Sequence, residues 1–250
     1  MHTDELTDIY RDLSASLQGL LFGPPTAVVY NPLDYARDPA EQYLARAGAG
    51  QKEVVFLGMN PGPWGMAQTG VPFGTVSFVR EWMGIEGRVG KPADEHPRRP
   101  IEGFGIQREE ISGSRFWGWA RERFGPADRF FERFFVANYC PLVFMEASGR
   151  NRTPDKLPAA ERAELFRHCD RALQSVIRCL NPQLVIGVGA FAESRAGSAL
   201  AGFDVRIGRI LHPSPASPVA NRGWSQQAEK QLLRLGVELP SPWNAARPAD

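Results

Sequence analysis

The sequence predicts an α/β fold of three layers, α/β/α, with a central, mainly parallel four-stranded sheet, and three observations carry that expectation. Four short apolar segments, about 53–59, 134–138, 183–188 and 205–211, have the length and the β-branched or aromatic content of buried strands. Helix-like stretches at 75–83, 114–124, 159–180, 190–200 and 219–235 separate them, and strand alternating with helix implies a parallel sheet covered on both faces. Two loops dense in Gly, Pro and small polar residues follow strand-like segments, and open α/β sheets bind ligands at the carboxyl ends of their strands.

Taken in order, the chain begins with an amphipathic helix over 3–22, with Leu6, Ile9, Tyr10, Leu13, Leu17 and Leu20 on one face. Lys52-Glu53-Val54-Val55-Phe56-Leu57 reads as the first strand. The following loop, 58–74, carries Gly58, Gly62, Gly65 and Gly70 with Pro61, Pro63 and Pro72, so it can continue neither as helix nor as strand. Such a loop can hold bare backbone N–H groups against a flat ligand; on Gly and Pro content alone it reads equally as a surface loop. Asn60 stands at the strand's end and Phe73 closes the loop.

Residues 87–113 form a long irregular connection, which is either functional or a solvated insertion. The stripe Leu165, Cys169, Ala172, Leu173, Val176 and Ile177 faces 159–180 into the core. Gly187-Val188-Gly189 lacks the third glycine of a dinucleotide fingerprint and reads as a strand-to-helix turn. Strand 205–211 runs into Leu211-His212-Pro213-Ser214-Pro215-Ala216-Ser217-Pro218-Val219-Ala220-Asn221-Arg222-Gly223-Trp224. Residues 1–239 are expected to form one domain and 240–250 a loose tail.

Composition narrows the functional classes only a little. The 250 residues suffice for one α/β domain with a full core, and 43% hydrophobic with 23% charged residues is ordinary for a globular protein. No apolar run reaches the roughly 18 residues that a spanning helix needs, and the polar, acidic N-terminus is unlike a signal peptide. The expected location is therefore cytoplasmic in a bacterium, or nuclear in a eukaryote, and a monomer is expected. Cys140, Cys169 and Cys179 are an odd number with no C-x-x-C pair, and the four histidines show no ligand spacing, so no metal and no other cofactor is expected. The net charge of +1 neither supports nor excludes a nucleic-acid partner; 25 of the 29 basic residues are arginine, through a GC-rich genome or through a DNA-facing surface.

The loop Gly58-Met59-Asn60-Pro61-Gly62-Pro63-Trp64-Gly65-Met66-Ala67-Gln68-Thr69-Gly70-Val71-Pro72-Phe73-Gly74 and the segment from His212 to Trp224 together resemble the motifs of the uracil-DNA glycosylase superfamily. Within it they are similar to the single-strand-selective monofunctional uracil-DNA glycosylases. Asn138-Tyr139-Cys140-Pro141-Leu142, followed by Ser148-Gly149-Arg150-Asn151, is a third match, and the resemblance runs from about 25 to 236. It implies a DNA repair enzyme that flips uracil, and 5-hydroxymethyluracil, out of single- or double-stranded DNA and hydrolyses the N-glycosidic bond to leave an abasic site.

The same resemblance implies the roles. His212 would donate a hydrogen bond to O2 of the departing base, and Asn60 would hold a water beneath the anomeric carbon. Asn cannot act as a general base, so the expected route is dissociative and slower than in relatives with Asp there. Asn138 would accept from uracil N3–H and donate to O4, a pattern that cytosine reverses. Phe73 would stack on the base, with Met59, Gly62 and Pro63 lining the pocket beside it. Pro213, Ser214, Pro215, Ala216, Asn221, Arg222 and Gly223 would meet DNA as a wedge. Ala216 stands where vertebrate members carry arginine, so no long side chain at that position fills the gap left by a flipped base. Two alternatives stay open: a relative preferring deaminated purines such as xanthine or hypoxanthine, and a non-catalytic binder of damaged or single-stranded DNA.

Overall fold

In the computed structural model, which describes residues 2–244, a four-stranded parallel sheet forms the middle of the molecule. Its strands are β2 (Val54–Gly58), β3 (Phe134–Asn138), β6 (Leu184–Val188) and β7 (Arg206–Ile210), in the order β3-β2-β6-β7. These are the four strands expected from the sequence. β2 and β6 lie in the centre and are buried at every residue, as the apolar content of Val-Val-Phe-Leu-Gly and Leu-Val-Ile-Gly-Val requires.

A second sheet was not foreseen. β1 (Thr26–Tyr30), β4 (Val143–Glu146) and the two-residue β5 (Asn151–Arg152) make an antiparallel ribbon in the order β1-β4-β5.

The helices are α1 (His2–Leu17), α2 (Pro32–Tyr35), α3 (Arg37–Ala47), α4 (Met66–Thr69), α5 (Ile111–Phe124), α6 (Ala127–Phe131), α7 (Ala159–Leu180), α8 (Ala190–Ala199) and α9 (Trp224–Arg234). α7 has the bounds expected from its apolar stripe, and Leu165, Cys169, Leu173, Val176 and Ile177 are buried. α1 stops at Leu17, short of the expected end, in a turn closed by Leu20 N–H donating to Leu17 O. The helix expected at 75–83 contains a wide π-type turn over Phe78–Trp82. The last helix begins at Trp224 because Gly223, at φ +110, turns the chain sharply between a 3₁₀ turn over Ala220–Arg222 and α9.

A cluster of aromatic side chains between α5, α6 and the sheet fixes the face nearest the loops. Phe56 of β2 meets Phe116, Trp119, Phe130 and Phe134, with ring centroids 5.5 to 6.3 Å apart. Of the expected tail, Trp243 donates its backbone N–H to Glu122 O and lies under the Arg129 guanidinium at 4.3 Å, while 245–250 fall outside the described residues. Among the described residues no helix is long and apolar enough to cross a membrane, and no cluster of three His, Cys, Asp or Glu side chains could hold a metal ion.

Candidate active site

The carboxyl ends of β2, β3 and β7 open into a cleft of about 350 Å³, within the usual size range of small-molecule sites. β2 and β3 run in register to Gly58 opposite Asn138. Their pairing continues past both strand ends, with Tyr139 N–H donating to Gly58 O and Cys140 N–H to Met59 O, both at 2.9 Å. Gly58 is required here because a Cβ would run into Asn138 Oδ1 and come within 2.8 Å of the Phe73 ring. The absent side chain lets the two converge.

Phe73 is held through one face of its ring and through its backbone. Its ring stacks on Phe116 at 5.3 Å and 17°, and its backbone adopts φ +54, a conformation that costs a non-glycine residue about 1–3 kcal/mol. Gly113 of α5 accommodates that backbone, since a Cβ there would collide with Phe73 O. One ring face rests on Phe116, and His212 stands 6.2 Å away, tilted by 44°.

His212 follows β7 and is positioned by the turn after β6. Gly189 N–H donates to Ile210 O at 3.0 Å, and Gly189, at φ +98, lies so close that a Cβ would sit 3.3 Å from the His212 Cβ. Burial lowers the His212 pKa to about 4, so the imidazole is neutral at pH 7.

The two asparagine amides are oriented by their neighbours. Asn60 Nδ2 donates to Leu142 O at 3.1 Å and to Pro61 O at 3.3 Å, which leaves Oδ1 as the free acceptor. Asn138 Nδ2 donates to Met66 Sδ at 3.2 Å; a thioether accepts weakly, so this donor is easily given to a better partner.

Gln68 ties the loop down. The side chain is fully buried; Nε2 donates to Pro63 O and Pro100 O, while Oε1 accepts from Glu102 and Gly103 N–H. All four hydrogen-bonding positions of the amide are thereby used. The irregular connection 87–113 is pinned in turn to the antiparallel ribbon, with His96 N–H donating to Tyr30 Oη and Arg99 Nε donating to Gly149 O. It belongs to the framework of the site.

Of the residues expected at the base pocket, Met59, Asn60, Gly62, Phe73, Asn138 and His212 line one cleft. Pro63 does not, and its carbonyl accepts from Gln68 Nε2 at 3.0 Å. The loop 213–223 divides. Ser214 lines the cleft, and Pro215, Ala216, Asn221 and Arg222 are exposed. Pro213 is buried and so offers no face to DNA; its carbonyl accepts from Arg115 Nη1 at 3.0 Å. Gly223 serves as the hinge into α9.

Sequence reasoning missed Glu110, Arg115 and Thr153, and gave Asn151, quoted within a motif, no role. Glu110, Asn151 and Thr153 line the cleft, and Asn151 Oδ1 is a buried acceptor with no partner. Arg115 bonds Pro213 O and, at 2.8 Å, Asn221 Oδ1, clamping the wedge loop to α5. Glu110 immediately precedes α5 but makes no capping bond, and its carboxyl folds over Gly62 and Gly65. Burial pushes its pKa up to about 7. A single acidic residue inside Arg-Glu-Glu carries no sequence signal that sets it apart.

Comparison with known proteins places these features. Residues 45–234 match the model of the uracil DNA glycosylase superfamily. The chain is 51% identical over 227 residues to the single-strand selective monofunctional uracil-DNA glycosylase of Rattus norvegicus, covering 90% of this chain and 82% of that one. It is 49% identical over 239 residues to the Mus musculus protein of the same name, covering 94% and 86%. The fold is similar to the crystal structure of Pedobacter heparinus SMUG2, with a TM-score of 0.69 at 18% identity over 94% of this chain and 97% of that one. The cleft built on Gly58, with Asn60 and His212 at two strand ends, thus stands in a chain that belongs to the uracil-DNA glycosylase superfamily and, within it, to the single-strand selective monofunctional family.

Proposed function

We propose that the protein excises uracil, and 5-hydroxymethyluracil, from DNA as a monofunctional glycosylase that leaves an abasic site. The observation that carries this reading is the convergence of Asn138, Phe73 and His212 on one cleft with Asn60 at its edge. A flipped pyrimidine stacks on the free face of Phe73. Asn138 Oδ1 accepts from N3–H, and Nδ2 exchanges its weak thioether partner for O4.

Bond cleavage leaves the electron pair on the base and positive charge on the sugar. Neutral His212 donates to O2, where the anion's charge gathers, without a proton having to be acquired first. Asn60 Oδ1 holds the water that then adds to the sugar cation and releases its proton to solvent. Among the residues lining the cleft there is no lysine to form a Schiff base, which supports hydrolysis without strand cutting.

The test is single-turnover base release from single-stranded and duplex oligonucleotides carrying uracil, 5-hydroxymethyluracil, thymine, xanthine or hypoxanthine. Uracil and 5-hydroxymethyluracil should leave and thymine stay, with strand breaks only after alkali. Asn60→Ala and His212→Ala should each slow release about 100- to 1000-fold, the usual loss for one preorganised transition-state contact. Purines leaving faster than uracil would assign the cleft to deaminated purines, and tight DNA binding with no release would make it a binding site.

A further inference from the structure

The proposed pose accounts for three edges of the base and leaves one. With His212 at O2 and Asn138 at N3 and O4, the next ring position beyond O4 is C5. The cleft wall continues in the same order: Asn138 touches Met66, Met66 follows Gly65, and both Gly65 and Gly62 are overlain by the Glu110 side chain. A Cβ at Gly62 would sit 3.0 Å from Glu110 Oε1, so this glycine keeps the carboxyl in the cleft wall.

Among the described residues no hydrogen bond or ion pair within the protein explains where this carboxyl points. Its neighbour Glu109 accepts from Ser77 Oγ at 2.8 Å and Ser114 Oγ at 3.1 Å. Glu110 makes no capping bond, and among the described residues no hydrogen bond or ion pair engages its carboxyl. Partly buried in the cleft wall and without such a partner, it is an acceptor, or when protonated a donor, for a polar group on a ligand.

We propose that Glu110 is a specificity-determining residue that reads the substituent at C5 of the flipped pyrimidine, accepting a hydroxyl, directly or through one water, and rejecting a methyl. A hydroxymethyl arm hydrogen-bonds to the carboxyl. A methyl displaces the carboxyl's water and returns no hydrogen bond, which is costly once the bound base closes the cleft over that acceptor. A 5-carboxylate meets a second carboxyl and is repelled or must share a proton with it. This inference rests on the pose proposed above.

The experiment is single-turnover release of uracil, 5-hydroxymethyluracil, 5-carboxyuracil and thymine from one single-stranded oligonucleotide context. It compares wild type, Glu110→Ala and Glu110→Gln, with thermal unfolding of each. In Glu110→Ala the 5-hydroxymethyluracil-to-uracil rate ratio should fall about tenfold, the worth of one hydrogen bond to such a group. Thymine release should rise in Glu110→Ala, and 5-carboxyuracil release should rise in both variants. Glu110→Gln keeps the volume and decides the 5-carboxyuracil arm if the alanine variant unfolds. Equal loss on uracil and 5-hydroxymethyluracil, or unchanged ratios, would overturn the assignment while leaving uracil excision intact. Absence of any base release by the wild type would remove the pose and this role of Glu110 with it.

Discussion

The loop after β2 and the loop after β7 meet at the same cleft but are built in opposite ways. The first, 58–74, is buried over most of its length, and polar bonds fasten it from several sides. Tyr35 Oη donates to Ala67 O at 2.6 Å, Trp117 Nε1 to Pro72 O at 3.1 Å, Thr69 Oγ1 to Gly74 O at 2.9 Å, and Gln68 makes its four bonds. The second, 213–223, is largely exposed and is closed by short-range bonds such as Ala216 N–H to Ser214 Oγ and Asn221 Nδ2 to Pro215 O. Arg115 is its main tie to the helical layer, and Trp224 Nε1, donating to Leu211 O, anchors its base. The contrast separates two tasks. Groups that stabilise a transition state must be in place beforehand, whereas a surface that meets DNA must shed water and counterions and adjust to a flexible partner.

If that contrast is right, damage to the first loop should show as lost stability. Gln68→Leu deletes four hydrogen bonds, one buried and three partly buried, and leaves two carbonyls and two N–H groups without this partner, so it should cost about 3–4 kcal/mol, read as a lowered urea midpoint. A loss below about 1 kcal/mol would mean that the loop is not held by this amide.

His212 should show the next effect. Its folded pKa of about 4 lies below the ordinary 6.5, so the unfolded chain takes up the proton first as the pH falls. The histidine's contribution to stability is intact above pH 6.5 and is lost progressively between about 6.5 and 4. Its ring signals in an NMR titration should stay those of the neutral form at pH 5.5; an imidazolium there would contradict a neutral donor.

The second loop should respond in function with little change in stability. Arg115→Ala frees Pro213 and Asn221 and should slow base release from duplex DNA about five- to tenfold, from two hydrogen bonds of about 1 kcal/mol each shared between loop order and DNA contact. Melting should move by only a few degrees, and a large fall would place this loop with the first. Smallest of all, Arg222→Ala should weaken DNA binding a few-fold for every sequence and reduce the slope of log K against log salt by about 1.

The sequence exposes most readily what obeys a period or a dense local motif. The parallel strands and α7 follow from apolar runs and a helical stripe, and Asn60, Phe73, Asn138 and His212 stand inside motifs long enough to be specific. The antiparallel ribbon escaped because β4 and β5 are four and two residues long, too short for alternation to register. α3 begins with Arg-Asp-Pro, where Pro39 reads as a breaker although it occupies the first turn, in which a missing N–H is harmless. Glu110, Arg115 and Gln68 act through distant partners: Gly62, Pro213 and Pro100 lie tens of residues away, and nothing local announces such a meeting. Pro63, which the resemblance places beside the base, does not line the cleft, and its carbonyl is held by Gln68 across the loop.

Gly58 has a consequence for how such a protein can change over evolutionary time. The residue that would tell uracil from cytosine ends β3, the edge strand paired with the central β2, and the space it occupies is made by a missing side chain on that neighbouring strand. Any mutation that enlarges position 58 strikes the sheet and the base reader together, so variants with relaxed recognition at that edge are removed as misfolded proteins before they can act. The opposite wall, where Glu110 leans over two glycines, is free of the sheet. New substrate ranges in this lineage should therefore arise at Gly62, Gly65 and Glu110, while the Asn138 edge stays fixed.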